Sequence, residues 1–115
     1  MSALLNPSPT AAWALLLIAG LLEIAWAVGM KFTDGFTRPW PSLAVLGLAL
    51  LSFWLLGLAM RVLPVGTAYA VWVGIGAAGA ALIGMWLLDE PASAARLGCV
   101  LMIVGGVVGL KLLHE

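Results

Sequence analysis

Charge is scarce in this chain of 115 residues: 9% of it is charged and 64% is hydrophobic, with a mean hydropathy of +1.18. A soluble domain carries about 25% charged and about 45–50% apolar residues. So much apolar surface cannot be hidden in a small water-soluble monomer, and low charge with high hydrophobicity also excludes disorder. Five Lys and Arg balance five Asp and Glu, for a net charge of zero. The chain therefore lacks the clustered cations that nucleic-acid binding needs. Cysteine is limited to Cys99, which excludes an internal disulfide and a cysteine metal cluster, and no metal site is expected. Histidine is limited to His114, near the C-terminus, which leaves no credible Ser-His-Asp or Cys-His catalytic centre. An enzyme is not expected, and no residue is assigned a catalytic role. What remains is an integral membrane protein with few polar groups.

A spanning helix needs about 20 mainly apolar residues. Four such stretches fit, over about 11–30, 40–60, 66–88 and 94–113, in a single all-α transmembrane domain covering 11–115. Residues 1–10, with Asn6-Pro7-Ser8-Pro9, read as a disordered leader. Proline marks helix starts at Pro39, Pro41 and Pro64, and charge marks exits at Lys31, Arg61 and Asp89-Glu90. Leu15 to Leu22 and Val100 to Leu110 do not alternate in polarity, which argues against a β-barrel. The first stretch is too long for a signal-peptide core and has no basic residue before it.

Bias in the placement of cations is also missing. Arg61 and Lys111 fall on one side of the membrane; Lys31, Arg38 and Arg96 fall on the other. Positive charge sets orientation, and so even a division predicts insertion both ways round, with orientation by the one-cation difference as the alternative.

One acid stands apart. Asp34, Asp89, Glu90 and Glu115 lie in loops or at the terminus, but Glu23 lies inside the first span. A charge at mid-membrane depth costs at least about 2.5–3.5 kcal/mol and is a functional hypothesis by default. No other span offers a basic residue at that depth, so Glu23 holds either a proton or a cation from outside the protein. That is the minimal part of a proton-coupled exchanger; a permanently neutral, structural Glu is the rival reading.

Gly20 and Trp26 share the helix face of Glu23, leaving room beside the carboxylate and offering an indole N–H and a π face. Ser52 is the hydroxyl well inside the second span; it either bonds the carboxylate or bonds back to the carbonyl four residues earlier. Tyr69 and Trp72 share a face of the third span and can wall a cation. Gly74 and Gly76 just beyond them suggest a hinge, with close helix packing as the alternative. Gly98 and Gly105 lie nearly on one stripe of the fourth span and suit a seam between subunits. Four helices are too few to enclose a polar pathway. A homodimer would supply two Glu23 carboxylates to one chamber, and copies inserted in opposite directions would gain inverted-repeat symmetry.

Gly20-Leu21-Leu22-Glu23-Ile24-Ala25-Trp26-Ala27-Val28-Gly29, followed by Lys31, and Pro64-Val65-Gly66-Thr67-Ala68-Tyr69-Ala70-Val71-Trp72 closely resemble the small multidrug resistance family. The resemblance covers about Ala12 to Leu113. Gly20 and Trp26 beside Glu23 resemble its guanidinium-exporter subtype; the quaternary-ammonium exporters commonly have Thr in place of the Trp. The resemblance implies an antiparallel, dual-topology homodimer in the bacterial inner membrane that exports guanidinium in exchange for protons by alternating access. It implies no cofactor beyond the proton as coupling ion. It assigns coupling to Glu23, partnered by Trp26, Ser52, Tyr69 and Trp72 with clearance from Gly20, a bend to Gly74 and Gly76, and dimer contact to Gly98 and Gly105. Asp89-Glu90-Pro91 departs from the Gly-Glu-Ser common in the subtype, and the leader is longer. The alternatives are a broader exporter of small quaternary ammonium or other hydrophobic cations, a non-transporting proton carrier, and an assembly subunit.

Overall fold

The computed structural model describes residues 5–113, and all regular structure among them is helical. The first helix, α1, spans Pro9–Gly29. Ser8 caps it by accepting a hydrogen bond from Ala11 N–H at 3.1 Å, and Pro9 takes the first helical position, where its missing N–H costs nothing. Pro9 and Thr10 therefore belong to the helix and not to the leader expected from sequence, because the Ser-Pro pair is a capping signal. Residues 1–4 of that leader, and His114 and Glu115, lie outside the described residues.

A 3-10 turn over Met30–Thr33 extends α1. Buried Thr33 closes the turn: its hydroxyl donates to Met30 C=O at 2.8 Å and accepts from Phe36 N–H at 3.2 Å. Asp34, Gly35 and Phe36 are all left-handed (φ 51°, 68° and 65°), which reverses the chain. Helix α2 spans Pro39–Ala59 and starts on proline. Helix α3 spans Val65–Leu87, entered from Pro64, and ends where Asp89 turns left-handed at φ 55°. Helix α4 spans Ala94–Leu113, its first turn capped by the Ser93 hydroxyl, which accepts from Arg96 N–H at 3.1 Å.

All four helices are long and apolar enough to cross a membrane. They stand in a row, with α1 between α2 and α3, and α4 leaning mainly on α3. The molecule measures 40 × 37 × 17 Å. Its shortest dimension is less than half of either of the others, so the helices form a flattened wall. Its core lies toward one end, where Trp13 and Leu16 of α1, Leu56 and Ala59 of α2, and Val71 and Trp72 of α3 pack together. At that end α2 and α3 close in front of α1. Helix α4 shares least in this packing: only 6% of its most apolar stretch is buried, against 28–33% for the other three.

Candidate functional site

Glu23 projects from α1 onto α3 at a place where α3 has no side chain. A Cβ added at Gly76 would overlap the Glu23 carboxyl group. Gly76 thus creates the space that the carboxylate occupies. Gly74 and Gly79 do the same for Val107 of α4 and Ile24 of α1. Helix α3 runs unbroken through these glycines, so in this conformation they serve as close-approach points.

Gly20 differs from its expected role. A Cβ there would meet Ile75 Cγ2 at 2.8 Å and Ile75 Cβ at 2.9 Å, so its clearance is for the crossing of α1 over α3. Sequence spacing put Gly20 on the Glu23 face correctly, but could not say which residue of a neighbouring helix fills the gap.

Ser52 takes neither of the two partners foreseen for it. Its hydroxyl donates to Ala19 C=O of α1 at 2.7 Å and accepts from the Trp72 indole N–H of α3 at 3.0 Å. Ser52 is fully buried and Trp72 is 5% exposed. One hydroxyl therefore ties three helices together one turn from Glu23. Interhelical bonds of this kind are worth about 0.6 kcal/mol on average and up to about 1.7 kcal/mol. Ser52→Ala is expected to cost about 1.5 kcal/mol, in the upper part of that range because it also orphans a buried indole N–H. Reversible unfolding in detergent measures it; an unchanged midpoint would show that the tie is not used.

The aromatic residues form a chain. Trp26 meets Phe53 edge-on (5.9 Å between centroids, 73°), Phe53 meets Trp72 (5.6 Å, 62°), and Trp72 meets Tyr69 (5.6 Å, 48°). Such offset and edge-on pairs are favourable beyond their buried area. Phe53 is the link that sequence reasoning missed. Its signal was adjacency to Ser52: an aromatic ring next to the single mid-span hydroxyl of α2. Tyr69 is half exposed, at 53%, on the open face of the wall.

Two buried polar atoms here lack any hydrogen-bond partner among the described residues: Glu23 Oε1 and Trp26 Nε1. One accepts and the other only donates. Buried polar groups are nearly always satisfied, so these two atoms are the candidate points for a ligand, water or second chain to meet. A ligand with N–H donors and positive charge fits the first atom; an acceptor fits the second. Gly98 and Gly105, by contrast, stand away from the site on α4, and a Cβ added at either would meet nothing within 4 Å. Among the described residues no group of three or more His, Cys, Asp or Glu could hold a metal ion.

Residues 11–112 match the family model described as Small Multidrug Resistance protein. A guanidinium exporter of Citrobacter freundii is 58% identical over 100 residues, covering 87% of this chain and 95% of the relative. Guanidinium exporters of Salmonella typhimurium strain LT2 and Escherichia coli K12 are 57% and 55% identical over the same shares.

Proposed function

The chain belongs to the small multidrug resistance family of multi-pass membrane transporters, and from that premise we propose that it exports guanidinium in exchange for protons. The observation that carries this reading is the unpartnered Glu23 Oε1, buried beside Trp26 in a membrane helix. The relatives named guanidinium exporters supply the substrate. Guanidinium is planar, offers paired N–H donors that match a carboxylate fork, is weakly hydrated, and stacks on aromatic faces. The Trp26–Phe53–Trp72–Tyr69 chain offers such faces beside the carboxylate.

The working unit in this proposal is an antiparallel homodimer. The flattened molecule leaves Tyr69 half exposed beside the site, and a second copy facing it would close the chamber. The second Glu23 would then be an acceptor for the Trp26 indole N–H. Gly98 and Gly105, on the little-buried α4, are the proposed contact between copies. Three cations against two across the membrane favour insertion in both orientations. Two carboxylates hold either the cation or protons, so the two ligands exclude each other and exchange follows. Gly74 and Gly76 are the proposed bend by which α3 switches access. No cofactor is needed; the proton is the coupling ion.

The test uses vesicles containing the purified protein, acidic inside and alkaline outside. Guanidinium is expected to accumulate inside above its external concentration as protons leave, and to stop when the pH difference is collapsed. Uptake indifferent to that difference would refute coupling. Transport of a tetraalkylammonium ion without guanidinium would make the chain a quaternary-ammonium exporter.

A further inference from the structure

Beyond the Glu23 site, a cavity of about 280 Å³ lies between the ends of α1 and α3, at the end of the wall away from the core. Ala27 and Lys31 line it from α1 and the turn that follows; Ala80 and Gly84 line it from α3. These positions continue two rows at i+4 spacing: Glu23, Ala27, Lys31 on one helix and Gly76, Ala80, Gly84 on the other. Each step climbs about 6 Å, so the cavity begins about one turn above the Glu23 carboxylate and ends at the charged rim. The rung between is alanine on both helices, which keeps the seam open.

The rim carries Glu90, which the exchange chemistry at Glu23 leaves unused. Its backbone N–H returns to Gly84 C=O at 3.1 Å, across the left-handed Asp89. Its side chain then folds back over Gly84, where a Cβ would overlap the carboxylate and meet Cδ at 2.8 Å. An exposed acid after a helix normally extends into water; this one lies inward, as part of the cavity wall opposite Lys31. No ion pair joins the two, as no described Lys or Arg nitrogen lies within 4 Å of the Glu90 carboxylate. A carboxylate and an ammonium thus share one cavity without neutralising each other by contact.

We propose that Glu90 forms an outer cation subsite, where a guanidinium-type cation pauses between bulk water and Glu23, with Lys31 as the opposing charge that keeps the stay short. This rests on the export reading above and extends it. The cavity is large enough for a small planar cation and accompanying water. A lone carboxylate at a wet rim binds weakly, and that suits a way-station, which must release what it captures. Gly84 is a positioning residue: it admits the inward fold of Glu90.

The test is initial-rate guanidinium exchange by the full chain in vesicles, as a function of guanidinium concentration. Glu90→Gln keeps the shape and removes the charge; it is expected to raise KM roughly threefold to fivefold, the range of a partly exposed charge interaction, with kcat nearly unchanged. Lys31→Gln should move KM the other way, because it removes a like charge from the path. Gly84→Ala should follow Glu90→Gln, since it expels the same carboxylate without altering any charge. Opposite shifts at Glu90 and Lys31 are not produced by a merely structural loop. An unchanged KM in Glu90→Gln, or shifts of the same sign in Glu90→Gln and Lys31→Gln, would overturn the subsite. If Glu90→Gln does not reach the membrane, Lys31→Gln and Gly84→Ala carry the same decision. Failure of the export reading looks different: the parent would not exchange guanidinium, or Glu23→Gln would still do so.

Discussion

Glu23→Gln is expected to abolish guanidinium exchange and to remove all pH dependence from guanidinium binding. The substitution keeps size and shape and removes the one charge placed inside the first span. Protons and guanidinium compete for the same carboxylate, so each proton bound is a cation site lost. Affinity in the parent therefore rises with pH and levels off once the carboxylate is free of protons. The amide of the variant has nothing to titrate, and its N–H₂ group opposes the N–H donors of the cation. One charge-assisted hydrogen bond is worth about 1.5–3 kcal/mol, so binding should weaken roughly 10- to 100-fold even before the loss of net attraction. Exchange should vanish altogether, because no proton can be handed over. Titration calorimetry of parent and variant from about pH 6 to about pH 9 measures the first effect, and vesicle exchange the second. Persistent pH-dependent binding in Glu23→Gln would move the coupling group elsewhere.

Gly76→Ala is the second large effect, and it acts on the same carboxylate without touching its chemistry. The added methyl would occupy the space where the Glu23 carboxyl group lies. What must give way is the far end of a flexible side chain, so the helices can stay where they are while the carboxylate is pushed off α3. The variant should therefore fold with parent-like stability and lose guanidinium affinity by roughly tenfold or more, equivalent to about 1.4 kcal/mol. Gly74→Ala is the contrast: its methyl would meet Val107 of α4, so it should disturb helix packing before the site. Calorimetric affinity together with detergent unfolding separates the two variants. Equal loss of stability in both would mean that Gly76 only packs helices.

Much of this was legible in the residues. Hydropathy and proline placement gave four spans within a few residues of the helices observed, because those signals act locally. The first helix began earlier than expected since Ser8 and Pro9 read equally as a loop and as a cap. Glu23 stood out because an unmatched acid in an apolar run needs no knowledge of neighbours. The contacts around it did depend on neighbours. Periodicity on α1 put Gly20, Glu23 and Trp26 on one face, yet the crossing with α3 decided that Ile75 fills the space at Gly20 and that Gly76 receives the carboxylate. Ser52 offered two choices, the Glu23 carboxylate and its own helix's carbonyl; the third, a bond to Ala19 C=O shared with Trp72, exists only once three helices meet. Phe53 was passed over for the same reason: its place beside Ser52 gains meaning only once α2 meets α3 and the ring packs on Trp72.

The thinness of the wall has a genetic consequence. A protein that encloses its own site fails alone when it is mutated. A protein whose site closes only when two copies meet shares the fate of whichever copy it meets. In the proposed dimer a defective allele is therefore a poison, not a blank: every sound copy that pairs with a Glu23→Gln copy is drawn into a chamber with a single carboxylate. In such a dimer the variant would be dominant, because each mixed pair lacks one of the two carboxylates that the chamber needs.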